Sequence, residues 1–312
     1  MEQNKPMHLL PENIINLSAA NIERLHLPVL DKHQIILDVL RLDKIDHIIS
    51  GNKWFKLKYY LEGALQNNRR SVLTFGGAWS NHIVATASAA KKAGLASVGV
   101  IRGERPLAPS HTLLKAISLG MKLVYVSRET YNQKKDPAFI EQLLQEYDQP
   151  CIIPEGGEGE TGIKGAAEIC GLADIENYTH LVCAVGTGTL LAGLAMGSLL
   201  HHHIKIIGVP VLKGFDNWMP PGRIAGPQQR IYIEPGYHFG GYAKKNDVLV
   251  DFMNQLYQQT NIPTDFVYTG KLFFSINDLI KKDYFPKQSR LLAIHSGGLQ
   301  GNDSLAPGTL VF

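Results

Sequence analysis

Cysteine is scarce in this chain of 312 residues: Cys151, Cys170 and Cys183 are the only three. An odd, small number among apolar neighbours excludes a disulfide scaffold and reads as reduced core thiols. Charge is sparse as well. Charged residues make up 19%, the net charge is +3, and no run of like charges occurs. Nothing here would grip a polyanion, so no nucleic-acid partner is expected. Long apolar runs are also missing. No window holds the roughly eighteen apolar residues of a membrane span, and the polar start MEQNKPMHLLPENI lacks the apolar core of a signal peptide. The expectation is a cytoplasmic protein with no membrane partner. Zinc-ligand spacings are absent too. His201, His202 and His203 lie between the small-residue stretch GLAMGSLL and the apolar IKIIGV. Three consecutive helical side chains point in different directions, so the triplet reads as a polar helix end and no metal is expected.

What is present is an alternation. Apolar residues make up 45% of the chain, ordinary for a globular protein with ample core. Short apolar runs recur: IILDVLRL from Ile35, SVLTF from Ser71, ASVGVI from Ala96, KLVYV from Lys122, CII from Cys151, THLVCAV from Thr179, IKIIGV from Ile204 and RLLAIH from Arg290. Rich in β-branched residues and flanked by turn formers, they suit strands buried on both faces. Helical patterns lie between most of them, at 80–94, 111–120, 137–147, 161–173 and 189–200. That order predicts an α/β fold with parallel sheet, crossover helices and a site at the carboxyl ends of the strands. No internal repeat or low-complexity linker divides the chain.

Two strand-to-helix turns are rich in glycine. In TFGGAWSNH, Gly76 and Gly77 turn the chain and Ser80 and Asn81 stand where a helix begins. In AVGTGTLLAG, Gly186, Thr187, Gly188, Thr189 and Leu190 follow a strand and open a helix of small residues. The second turn fails the commoner nucleotide patterns. Leu191 stands where a third dinucleotide-motif glycine belongs, and Leu194 replaces the lysine of a phosphate-binding P-loop. A small phosphate cradle of N–H groups and hydroxyls remains, with a plain tight turn and capped helix as the alternative. A third stretch, SGNKWFKLKYYLEGAL from Ser50, is a helix carrying Lys53, Lys56 and Lys58 among aromatics. Taken alone, its lysines read as a solvated face. Two anion cradles and a lysine suited to a Schiff base together describe pyridoxal phosphate chemistry on an amino acid.

The residues also carry a resemblance. SGNKWFKLKYY resembles the GNK-x-x-KL-x-Y signature of the 1-aminocyclopropane-1-carboxylate deaminase and D-cysteine desulfhydrase family, within the tryptophan synthase β-like, fold-type II pyridoxal phosphate enzymes. FGGAWSNH, PEGGEGETGIKGAAE, GTGTLLAG, DFVYTGK and HSGG follow in the family's order, spanning about 30–298. The resemblance implies two open, mostly parallel-sheet α/β domains with pyridoxal 5'-phosphate between them. The larger would take 1–53 plus 151–312 and the smaller 54–150. It further implies a small amino acid substrate and a homodimer.

Carried over position by position, it makes Lys53 the Schiff-base lysine that also moves the substrate's α-proton. Asn52 would lie near the cofactor. Lys56, one turn beyond Lys53, would reach the phosphate, and Lys58 would be solvated. Trp54 and Phe55 read as packing. Ser80, Asn81 and His82 would receive the substrate carboxylate, with Ser80 also a nucleophile in ring opening and Asn81 also a cofactor ligand. For Ser80 alone, a helix cap is the first reading, compatible with the other roles. Gly186 to Leu190 would wrap the phosphate. Tyr268 would lie beside the substrate and tune its amino group or act as an acid, with Tyr242 a second tyrosine of the site. Tyr237 and His238 are further candidates for the pocket wall.

Two departures from the cyclopropane deaminases bear on the substrate. Thr269 stands where they have a glutamate at the ring nitrogen, and Ser296 stands in their H-x-GG turn. Hydroxyls there would donate to a neutral nitrogen and make a weaker electron sink. Loss of a β-substituent, as in D-cysteine desulfhydration, is expected over cyclopropane ring opening. A pyridoxal-phosphate-binding protein without turnover is the alternative of another class.

Overall fold

The apolar runs do form strands covered on both faces. The computed structural model describes residues 10–11, 13–215 and 230–312. In chain order its strands are β1 (Ile22–Arg24), β2 (Ile36–Arg41), β3 (Ser71–Gly76), β4 (Ala96–Arg102), β5 (Met121–Val126), β6 (Cys151–Ile153), β7 (His180–Val185), β8 (Lys205–Pro210), β9 (Ile231–Ile233) and β10 (Arg290–His295). The helices are α1 (Pro28–His33), α2 (Asn52–Gln66), α3 (Asn81–Lys92), α4 (His111–Ser118), α5 (Arg128–Asn132), α6 (Pro137–Glu146), α7 (Glu160–Ala167), α8 (Thr189–Gly197), α9 (Asp247–Thr260) and α10 (Thr269–Lys281).

Two sheets result. One has six strands in the order β1-β2-β10-β7-β8-β9, the other four in the order β5-β4-β3-β6. Every pairing is parallel except the edge pair β1–β2. β6 pairs with β3, so the smaller sheet takes in residues 151–153, just past the expected boundary at 150. The period of two is visible in the packing. Leu181, Cys183 and Val185 of β7 and Leu292 and Ile294 of β10 face one core cluster, while Val182, Ala184, Leu291 and Ala293 face another. The first cluster includes Leu57 and Leu61 of α2, Leu190 and Leu194 of α8, and Val72, Ala85 and Ile153 from the smaller sheet's side. The two sheets therefore share one core, with α2 running along the seam.

The short strands β1 and β9 and the helices α9 and α10 are additional to the expected elements. The expected helix 161–173 ends at Ala167 and continues as a 3-10 segment, Glu168–Leu172. The histidine triplet lies in the turn between α8 and β8. All three cysteines are free, with Cys170 and Cys183 buried. Among the described residues no helix is long and apolar enough to cross a membrane, and no cluster of His, Cys, Asp or Glu is placed to hold a metal ion.

Candidate active site

The carboxyl ends of β2, β3, β7 and β10 and the helices that follow β2, β3 and β7 converge on a cleft of about 630 Å³. Lys53 enters it from the first turn of α2, a place set by a tight backbone contact. Gly51 has φ +66°, and a Cβ there would lie 1.8 Å from the Ser296 carbonyl oxygen. Only glycine allows that approach. The Asn52 N–H then donates to the same carbonyl at 3.2 Å, locking the helix start to the end of β10. Burial lowers the Lys53 ammonium to about 8, with Asp265 pulling the other way. The helix start adds to this, because it carries positive dipole and no acidic residue in its first turn. Lys53 Nζ lies 3.4 Å from Asn52 Oδ1 and 5.7 Å from the ring centre of Tyr268.

Lys56, one turn on, is 5% exposed. Burial, then the neighbouring Lys53, depress its ammonium well below the ordinary range, Cys183 and Glu158 oppose this less strongly, and among the described residues its Nζ makes no hydrogen bond. The Gly156–Gly157 turn ties it to the second glycine-rich loop: a Cβ on Gly157 would meet Lys56 Cβ and one on Gly156 would meet Thr187 Cγ2, each at 2.8 Å. Past Thr187, Gly188 caps α8 in the left-handed region, leaving the N–H groups of Thr189 and Leu190 free of helix partners. The Thr187 and Thr189 hydroxyls lie 2.9 Å apart. A buried amine beside a helix start and the Thr187 hydroxyl is a donor set suited to an anion.

Opposite stands the start of α3. Ser80 takes the N-cap place, yet its hydroxyl makes no capping bond and is left to the cleft. Asn81 Nδ2 donates to the Gly298 carbonyl at 3.2 Å, joining the loops after β3 and β10. His82 is a correction. The Thr74 hydroxyl donates to the Ile153 carbonyl and so accepts from His82 Nε2, both at 2.8 Å. The ring is thus held between Thr74 and the backbone of Pro154. Burial, then Lys53 and Lys56, lower the imidazole to about 3, so it stays neutral. Such a ring does not attract a carboxylate, and that role is left to Ser80, Asn81 and the helix start.

Tyr268 packs over Gly186, where a Cβ would come within 3.3 Å of its ring, and meets Tyr242 edge to face at 6.2 Å. Burial, then Tyr242, raise its phenol well above the ordinary value. Ser296 also lines the cleft. Thr269 does not, which is a second correction. Its hydroxyl donates to Asp265 Oδ1 at 2.8 Å and accepts from the Asp265 N–H at 2.7 Å. Asp265 also takes the N–H groups of Val267, Tyr268 and Thr269, so this acid ties the turn that leads into α10, and Thr269 faces it and not the cleft. Lys58 is likewise paired instead of solvated, with Glu168 at 2.8 Å. Trp54 and Phe55 are buried in packing, as expected. Tyr237 and His238 lie outside the cleft wall, whereas Arg102, Glu155, Trp79 and His111 line it unforeseen. Arg102 ends β4, and the rule that sites gather at the carboxyl ends of parallel strands was the available signal for it.

Pyridoxal phosphate fits these residues. Lys56, Thr187 and the start of α8 would hold its phosphate, Lys53 its aldehyde, and Ser296 its ring nitrogen. The profile of the pyridoxal-phosphate dependent enzymes matches residues 39–297. A Pyrococcus horikoshii protein provisionally named a 1-aminocyclopropane-1-carboxylate deaminase is 31% identical over 268 residues, 81% of each chain. A mitochondrial Arabidopsis thaliana bifunctional D-cysteine desulfhydrase/1-aminocyclopropane-1-carboxylate deaminase is 28% identical, over 81% of this chain and 70% of its own. The crystal structure of an ACC deaminase homologue superposes with a TM-score of 0.73 at 28% identity, covering 91% of this chain and 90% of its own. The chain thus belongs to the pyridoxal-phosphate-dependent enzymes of fold type II, in the 1-aminocyclopropane-1-carboxylate deaminase and D-cysteine desulfhydrase family.

Proposed function

We propose that this enzyme converts a small amino acid to a 2-oxo acid and ammonia by loss of a β-substituent, with D-cysteine as substrate. Water is consumed, and pyruvate, sulfide and ammonia are released. The observation that carries the reading is Lys53, an amine lowered to about 8 in a cleft that also presents the Ser80 hydroxyl and Tyr268. Bound pyridoxal phosphate supplies an aldehyde for the substrate's amine and a conjugated ring for the electrons left at Cα. Lys53, partly neutral near pH 7 to 8, is suited to take up the α-proton. Ser80, Asn81 and the start of α3 orient the carboxylate. Tyr268 keeps its proton across the working range and so acts as a donor, toward either the leaving sulfur or the amine. With Thr269 turned to Asp265, Ser296 is the hydroxyl that would serve the ring nitrogen of the bound cofactor, and it supports the elimination reading. The homodimer belongs to the same proposal and is read out by particle mass, twice 34.5 kDa.

One observation favours cyclopropane-carboxylate deamination as a second reading: the Ser80 hydroxyl, spent on no cap, is open to act as a nucleophile. Assaying the purified protein for 2-oxo acid release from D-cysteine, L-cysteine, D-serine and 1-aminocyclopropane-1-carboxylate separates the two. The expected result is sulfide and pyruvate from D-cysteine, reduced by roughly a thousandfold or more in Lys53→Ala. Release from the cyclopropane alone establishes the second reading. No release from any of the four, with the cofactor bound, refutes both and leaves a binding role.

A further inference from the structure

α10 begins beside Tyr268, and the loop ahead of α9 delivers Tyr242 against it. What holds that loop is a lysine the chemistry does not use. Lys271 is fully buried, and its Nζ donates to the carbonyls of His238 at 2.9 Å and Gly241 at 2.8 Å. Each carbonyl closes a turn: the Gly241 N–H reaches His238 and the Lys244 N–H reaches Gly241. The loop is wound through left-handed residues, Phe239 at φ +52°, Gly240 at +95°, Gly241 at +123° and Ala243 at +52°. Such a path is strained at the non-glycine positions and persists only where its surroundings hold it. Two further anchors lie on the same face of α10, at the i, i+3, i+7 spacing. Phe274 meets Phe239 edge to face at 4.9 Å, and Asp278 accepts from the Tyr237 hydroxyl at 2.7 Å.

A lysine is a costly residue for that place. No carboxylate lies within 4 Å of it among the described residues, and an apolar side chain would fill the helix face without burying a cation. What the ammonium adds is a pair of donors aimed at two carbonyls of one loop, three residues apart. We propose that Lys271 is a positioning residue, clamping the double turn at 238–244 so that Tyr242 is held against Tyr268. The inference rests on the reading of Tyr242 as a residue of the working cleft, and it adds an element that fixes its place.

Amide hydrogen exchange by mass spectrometry tests the clamp without any substrate. In Lys271→Met, exchange over residues 238–244 should rise by about tenfold or more while the strands at 180–185 and 290–295 keep wild-type rates. Unchanged exchange at 238–244 overturns the proposal. A double-mutant cycle then separates positioning from general damage. Lys271→Met alone should lower kcat/KM about tenfold, but less than about twofold when added to Tyr242→Phe. A full second loss in that background overturns it. If Lys271→Met does not fold, Lys271→Gln, which keeps a polar side chain but cannot reach both the His238 and Gly241 carbonyls, carries both measurements, with the same outcomes deciding. Faster loop exchange in a protein that turns over none of the amino acids leaves the clamp standing and removes the functional reading instead.

Discussion

Lys56 is a buried amine that forms no ion pair among the described residues, with Glu158 and Cys183 favouring its charge less than burial and Lys53 oppose it, and its two environments pull in opposite directions. In the cofactor-free protein it is a liability: burial and Lys53 both disfavour its charge. Beside a phosphate it becomes a partner. Replacing an unpaired buried charge by an apolar residue of similar length commonly stabilises a fold, whereas removing one half of a pair weakens it. Lys56→Met should therefore raise the melting temperature of the cofactor-free protein and weaken pyridoxal phosphate binding by about tenfold or more. Scanning fluorimetry without cofactor and a cofactor titration check the two halves, and a lowered melting temperature without cofactor would contradict the argument. That Lys53, Lys56, Ser80, Gly186, Thr187, Gly188 and Leu190 share one cleft was readable in the sequence from motif order, and their roles there stand as proposals. Thr269, His82 and Lys58 were not readable in this way. Their roles turn on where a hydroxyl, a ring nitrogen or an ammonium finds its partner, and those partners (Asp265, Thr74 and Glu168) lie on other turns or other strands.

At the scale of elements, α2, which carries Lys53 and Lys56, is stacked on α7 through a small residue. A Cβ on Gly165 of α7 would lie 1.8 Å from the Phe55 carbonyl oxygen of α2, which is the residue before Lys56. Backbone meets backbone there, so neither side can yield by turning a side chain. Gly165→Ala must push α7 away from α2. We expect a loss of about 2–4 kcal/mol in stability and a several-fold weaker hold on pyridoxal phosphate. Denaturant unfolding and cofactor titration measure the two, and a stability within about 0.5 kcal/mol of wild type would show that the helices are not in contact as described. The strands of the two sheets were readable because burial on both faces writes continuous apolar runs. β1 and β9 were not, since each is three residues long and partly exposed. Strand pairing, more than side-chain pattern, defines such edges. Which sheet β6 joins was not readable, because it carries only Cys151, Ile152 and Ile153 and nothing in that run names its partner, β3.

Over the whole molecule, the buried lysines set an unusual pH dependence. Burial lowers Lys53 and Lys271 to about 8 and drives Lys56 further down, against 10.5 for the unfolded side chain. Between those values the unfolded chain binds more protons than the folded one, so stability rises with pH. Tyrosines oppose this at the alkaline end. Burial raises Tyr60 and Tyr178 to about 12 and Tyr268 higher, so above about 10 the folded state holds protons that the unfolded state releases, and stability falls. At the acid end, burial works to raise Asp38, Asp43 and Asp46, but their hydrogen bonds and ion pairs outweigh it and keep them below the ordinary carboxylate range. Their contribution is present above about pH 4 and is lost as pH falls below it. The cofactor-free protein should thus be most stable near pH 9 to 10, well above the neutral range usual for globular proteins. Bound pyridoxal phosphate should flatten the rise from pH 7 to 9, because its phosphate gives Lys56 a counter-charge and Lys53 is engaged. Urea unfolding at pH 5, 7, 9 and 11, with and without cofactor, tests both statements. A maximum near pH 7 in the cofactor-free protein would mean that these ammonium groups are solvated or paired, and with that the argument for an anion site at Lys56 would lose its main support.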